Sequence, residues 1–322
     1  MTTSIGRRVA SGFARSLPIQ LGLLLLVVLL PVPTAPALAE SSPTPAGPYA
    51  TVVGTNTLYL RACPVLTCRV ITSIPLGAEV DIVGEMVDGF APVRWQEYEG
   101  WAYTLFLSSH ASSPELVRSG VPGCQRIALI FNAGIGEEPS EEILETLVTT
   151  QTPVTVFAMG WWADTYPGYL HRLVTGANAV IGTHGHTQLF LTEASDEQIV
   201  AEIHNSAEAI REVTGYEPAR YYTPYATDSD QRVERIIAGE GYLPVGWTIA
   251  AADYNHDDSA GEIYDRVMGG VHDGAIVELH LDGPATDQST ALALPSIIRD
   301  LEARGYQLVT VPEILLPCPS AP

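Results

Sequence analysis

The chain contains no lysine. All 16 of its basic residues are arginines, set against 37 aspartates and glutamates, so the formal net charge is −21 over 322 residues. A surface of that sign repels phosphate backbones and anionic headgroups, which argues against nucleic acid and anionic membranes as partners. Cysteine is scarce too: there are four, and none lies in a stretch resembling a nucleophile site. A membrane-spanning helix needs about 20 apolar residues, and the apolar core at Ile19 to Leu30 is only 12 long, ended by prolines at 31, 33 and 36. Arg7, Arg8 and Arg15 precede that core, and Ala37-Leu38-Ala39 follows with the small-x-small spacing of a cleavage site. Residues 1–39 therefore read as a secretory signal peptide, removed on export, which leaves no stable membrane anchor and a secreted, extracellular or cell-envelope protein. Its removal takes away three arginines and no acid, so the net charge becomes −24.

An even cysteine count in an exported chain favours disulfides over metal sites. Sequence does not fix the connectivity; the expected pairing is Cys63–Cys68 and Cys124–Cys318. The second bridge would close most of the C-terminal half of the chain and contribute on the order of 4–5 kcal/mol by restricting the unfolded state.

Residues 40–48 form a Ser/Pro/Gly/Ala linker. Residues 49–109 contain short strand-like runs between Gly and Pro turns: Leu58 to Arg61, Arg69 to Ile71, Glu79 to Val83, Ala91 to Trp95 and Gly100 to Ala102. That spacing predicts a small all-β barrel. Its Leu58-x-x-Arg61-x-x-Pro64 opening and Gly100-Trp101-x-x-x-x-x-Leu107 ending resemble a bacterial SH3-like domain. The resemblance implies a module that holds the protein against cell-wall peptides, with simple packing on the neighbouring domain as the alternative. A second linker is expected over 110–123.

From 124 to 318, strand-like and helix-like segments alternate, which predicts an α/β fold with parallel strands. Ile127 to Phe131 is an apolar strand running into Asn132-Ala133-Gly134. Val154 to Ala158, Ala179 to Gly182, Tyr242 to Trp247 and Ala275 to Leu279 are further strands, and Tyr306 to Val311 is the last. Helical spacing appears over Glu141 to Thr149, Asp164 to Thr175, Asp196 to Val213 and Ala293 to Arg304. The segments in order resemble the polysaccharide deacetylase (NodB-homology) family, which implies a distorted (β/α) barrel with working residues at the strand C-termini.

The family's motifs are degenerate here. The first is Thr-Phe-Asp-Asp-Gly, and Phe131 and Gly134 match it while Asn132 replaces the base and Ala133 a metal-binding aspartate. The His-x-x-x-His motif matches His184, with Gln188 in the second position; His186 lies between them and is a substitute ligand if the site is rebuilt, as is Asp282. The Arg-Pro-Pro-Tyr-Gly motif becomes Tyr222-Thr223-Pro224-Tyr225-Ala226, with Arg220 on the same strand face as the missing arginine. Trp247, Asp253 and His280 match the last two motifs. The resemblance assigns His280 as the general acid with Asp253 as its partner, and the two equally read as a hydrogen bond holding two loops together. Trp161, Trp162, Tyr222, Tyr225 and Trp247 are the expected aromatic lining of a cleft.

A divalent zinc-type ion wants three protein ligands and an open position, and the carried-over positions supply one histidine. The resulting expectation is a secreted protein, a possible pseudoenzyme, that binds N-acetylated cell-wall polysaccharide or peptidoglycan with impaired or no catalysis. The alternative is an active metal-dependent carbohydrate deacetylase whose metal site is rearranged around His184, His186 and His280.

Overall fold

Alternation of apolar and polar residues builds the N-terminal sheet. In Thr57–Arg61 the leucines at 58 and 60 point inward while Thr57 and Tyr59 are exposed, the period-two pattern of a strand with one buried face. The computed structural model describes residues 48–109, 115–284 and 286–318. The signal-peptide reading, all but the last residue of the 40–48 linker and part of the 110–123 linker lie outside the described residues. Seven strands, β1 (Tyr49–Val52), β2 (Thr57–Arg61), β3 (Val70–Pro75), β4 (Glu79–Ile82), β5 (Phe90–Trp95), β6 (Tyr98–Tyr103) and β7 (Leu107–Ser108), pair antiparallel in the order β3-β2-β6-β5-β4-β1-β7. This is the all-β element expected from the sequence. β1 and β7 were not among the expected strands.

The second sheet is parallel throughout. Chain order gives β8 (Arg126–Ala133), α1 (Glu141–Thr150), β9 (Val154–Ala158), α2 (Gly160–Thr165), α3 (Pro167–Thr175), β10 (Val180–Thr183), α4 (Asp196–Thr214) and β11 (Tyr221–Tyr222). It continues with α5 (Gln231–Gly239), β12 (Leu243–Pro244), β13 (Ile249–Ala250), α6 (Ala260–Gly270), β14 (Ile276–His280), α7 (Thr290–Ala303), β15 (Gln307–Val309) and α8 (Val311–Ile314). The strand order is β12-β11-β10-β9-β8-β14-β13, and β15 pairs with the first residues of β8, where β9 does not reach. Among the described residues β12 and β13 are not paired, so the sheet curls into a half-barrel and stays open on one side. Every residue of β8 is buried, as a strand covered on both faces must be.

Local sequence sets the helix boundaries. Ser195 and Gln198 form a reciprocal cap at the start of α4, and Gly215 ends it at a positive φ. The single helix expected over Asp164 to Thr175 is two: Pro167 has no amide hydrogen to continue α2 and instead opens α3. The strand expected over Tyr242 to Trp247 shortens to two residues, and the chain then crosses to β13.

The two parts share apolar packing. Leu58, Leu60, Ile74 and Phe106 from the β1–β7 sheet lie in one buried cluster with Tyr221, Leu243, Ile276 and Ile314. Gly54 fits there because a Cβ would meet the Leu243 side chain at 2.9 Å, and its N–H donates to the Gly241 carbonyl at 3.0 Å. The disulfides are Cys63–Cys68 and Cys124–Cys318, the pairing expected. Among the described residues, no helix is long and apolar enough to cross a membrane.

Candidate functional site

Parallel strands that end together at one rim bring side chains from distant parts of the chain into one place. Asn132 and Ala133 close β8, His184 follows β10, Tyr225 follows β11, Ala250 closes β13, and Glu278 and His280 close β14. Their side of the half-barrel holds a cavity of about 430 Å³ lined by Asn132, His184, Tyr225, Trp247, Tyr254, Glu278 and His280 among others. Ala226 and Thr227, at its edge, both have left-handed backbones (φ 52° and 54°), an uncommon conformation for such residues that tertiary contacts must hold.

The cavity floor is a chain of charged and amide groups. The imidazole of His280 donates from Nδ1 to Asp253 Oδ1 at 2.7 Å and from Nε2 to Glu278 Oε1 at 2.9 Å. Asp253, wholly buried, also accepts from the His280 backbone N–H at 2.9 Å and from Thr290 Oγ1 at 2.6 Å. Asn132 Nδ2 donates to the same Glu278 Oε1 at 3.3 Å. Burial by itself would push the His280 pKa down, but the adjacent Glu278 and Asp253 carboxylates carry it well above the usual histidine value, so both ring nitrogens are donors at neutral pH.

His184 is the opposite case. Its Nδ1 donates to the Thr223 carbonyl at 2.7 Å. Burial, reinforced by the His280 charge and only partly offset by that hydrogen bond, lowers its pKa to about 4. The ring is neutral at neutral pH and Nε2 carries the lone pair.

The ligand positions implied by the sequence resemblance do not fit a zinc-type ion. Ala133 has no donor atom. Gln188 uses its amide nitrogen to tie down the loop after β8, donating to the carbonyls of Gly134 at 2.6 Å and Ile135 at 2.9 Å. His184 remains as one good ligand where three are needed. Asp253, Glu278 and His280 do offer ligand atoms within 4.8 Å of one another, but an ion there would have to displace the protons His280 shares with both carboxylates.

Several expected site residues lie elsewhere. His186 turns away from the cavity: a Cβ on Gly160, at the start of α2, would meet its Nδ1. Its backbone N–H donates to Glu202 Oε2 at 2.7 Å. It is therefore not placed to substitute as a ligand beside His184. Tyr222 is buried against Gly185 rather than lining the cavity, and Trp162 is fully buried in the core beside Tyr166 and Tyr169. Trp161 donates to the Met159 sulfur and is not among the lining residues. Arg220 stacks 5.0 Å from the Tyr242 ring centre and donates to its hydroxyl, so it does not reach the site. Asp282 caps the loop after β8, accepting from the N–H groups of Gly134 and Gly136.

Three residues were missed, one of them Tyr254, which lines the cavity. Glu278 is 1 % exposed and shares a strand face with His280; the signal was an acid inside an otherwise apolar run, two residues before the histidine. Glu202 holds the His184–Gln188 loop by accepting from His186 N, Thr187 N and Thr187 Oγ1. Its signal was an acid three residues after Ile199, inside the apolar stripe of α4.

The polysaccharide deacetylase family model matches residues 119–244, and the bacterial SH3 domain model matches residues 56–108. The peptidoglycan-N-acetylglucosamine deacetylase PgdA of Listeria monocytogenes is 28 % identical over 209 residues, which is 65 % of this chain and 42 % of that protein. The chain thus spans less than half the length of that curated relative. The solved structure of the peptidoglycan deacetylase PdaC from Bacillus subtilis superposes with a TM-score of 0.52 at 26 % identity, covering 60 % of this chain and 91 % of that one. A pseudoenzyme of the CE4 family from Bacillus anthracis shares the fold, with a TM-score of 0.57 at 23 % identity over 65 % of this chain and 75 % of its own.

Proposed function

Because this chain carries a polysaccharide deacetylase domain behind a bacterial SH3 domain, we propose that it is an exported cell-envelope protein that binds wall glycan built from N-acetylated amino sugars, with metal-dependent deacetylation impaired or absent. The names of the Listeria and Bacillus relatives support peptidoglycan as the polymer. The observation that carries the reading is the donor set: a methyl group at 133, a single imidazole at 184, and at 188 an amide already committed to two backbone carbonyls. Asn132 adds to it. An amide in place of a carboxylate accepts no proton at neutral pH, and this one directs its hydrogens at Glu278. His280, in the general-acid position, shares its Nε2 proton with Glu278 rather than presenting it to the cavity. What persists is a pocket with aromatic walls at Tyr225, Trp247 and Tyr254, the kind of surface on which sugar rings stack.

The test is metal content together with binding. Zinc is offered to the purified protein and the excess dialysed away. No near-stoichiometric ion should remain, N-acetylated glycan should release no acetate, and the same glycan should bind. A stoichiometric ion lost in His184→Ala or His280→Ala, with acetate release, would instead establish an active deacetylase with a rearranged metal site; the grouping of Asp253, Glu278 and His280 is the feature that favours this second reading.

A further inference from the structure

The cavity floor holds more acceptors than the protein satisfies. Among the described residues, Glu278 Oε1 takes hydrogens from both His280 and Asn132, while Glu278 Oε2 has no partner. Asn132 Oδ1 has none either, and turning the amide over would set that oxygen against the carboxylate. Glu278 is 1 % exposed and Asn132 2 % exposed. Leaving a buried oxygen without a donor is destabilising, so two on neighbouring side chains call for a donor from outside the chain.

Charge agrees with hydrogen bonding. Two carboxyl groups, those of Asp253 and Glu278, face the single imidazole of His280, and among the described residues no arginine lines the cavity. Trp247, Tyr225 and Tyr254 form walls whose ring faces attract cations. An acetamido group suits this floor poorly, since its carbonyl would meet lone pairs and its single N–H answers one acceptor. An ammonium brings three donors and a positive charge.

We propose that the pocket takes the free primary amine, as its ammonium, of a de-N-acetylated amino sugar. The inference rests on the reading that this pocket seats a unit of wall glycan, and it specifies that unit as one from which the acetyl group has already been removed. The protein then recognises the product of the deacetylation that its relatives are named for.

Calorimetric titration of the whole protein with β-1,4-linked glucosamine hexamer and N-acetylglucosamine hexamer, at a pH that keeps the amine protonated, tests this directly. The glucosamine hexamer should bind at least about tenfold more tightly, the scale expected when a buried acceptor is paired rather than left bare. Glu278→Gln should remove most of that preference. Tyr254→Ala changes a residue that is 52 % exposed, should fold normally, and should weaken the glucosamine hexamer. Glu145→Gln, an exposed change on α1 remote from the cavity, should leave the preference intact; an equal loss there would assign the effect to the acidic surface and overturn the proposal. Equal affinity for the two hexamers, or tighter binding of the acetylated one, overturns it while the glycan-binding reading stands. If neither hexamer binds, both fall.

Discussion

His184 and His280 face the same cavity in opposite protonation states, and the difference makes the pH dependence of each predictable. The folded state holds His184 near pKa 4, below its ordinary value of 6.5, so the unfolded chain binds its proton more readily. The stability from keeping it neutral is present above about pH 6.5 and is lost as pH falls toward 4, on the order of 3 kcal/mol across that window. Thermal melts from pH 7 to 4 should therefore fall less steeply for His184→Gln than for the parent chain; parallel curves would mean His184 does not titrate with unfolding. His280 has the reverse sign: its raised pKa contributes stability that is complete below about 6.5 and is lost as pH rises through the folded value. Because Glu278 is one of the two carboxylates holding it up, Glu278→Gln should move the His280 titration, followed by imidazole NMR, clearly downward. An unmoved titration would assign the effect to Asp253 alone. Motif positions made His184, Asp253 and His280 legible in the sequence, whereas Glu278 was not, because its role depends on β14 lying beside β8 so that Glu278 pairs across to Ile130 and His280 to Asn132.

Strands and helices were easier to read than the rim that joins them. The apolar runs of β8, β9 and β14 have one interpretation in an alternating α/β pattern, and the amphipathic period of α4 fixed its span nearly to the residue. The loop after β10 was not legible. His184, His186 and Gln188 sit at alternating positions, and which of them turns inward is decided by Glu202, one helix away, drawing the His186 and Thr187 amides toward itself. The same crowding makes a prediction for β10. A Cβ on Gly182 would sit 2.7 Å from the Phe157 ring and 3.0 Å from the Tyr221 carbonyl oxygen. Both neighbours are held within the sheet, so Gly182→Ala should destabilise by about 1–3 kcal/mol through overpacking. Its urea midpoint should drop by the matching amount with an unchanged slope, and a parental midpoint would show that β9 and β11 yield more easily than their packing implies.

At the scale of the molecule, the sequence suggested two domains joined by a linker, and the packing between them suggests one cooperative unit. Separate domains each need a core that closes on itself. Here Leu58, Leu60 and Phe106 share a buried cluster with Tyr221, Leu243 and Ile314, and Tyr103 Oη donates to the Leu315 carbonyl at 3.1 Å. The Cys124–Cys318 bridge, with a sequence separation of 194, ties the first strand of the half-barrel to the segment that packs against the β1–β7 sheet. Leu243 is the informative position, being wholly buried on β12 and in contact distance of any side chain at Gly54. Leu243→Ala should cost about 2–5 kcal/mol, as large-to-small changes in buried cores do. If the shared cluster couples the two parts, near-ultraviolet signals from Trp95 and Trp101 in the small sheet should shift to a lower melting temperature together with that from Trp162 in the half-barrel core. Scanning calorimetry should then show a single transition in both proteins. A variant whose half-barrel melts early while the small sheet keeps its parental midpoint would show two independent domains that merely touch.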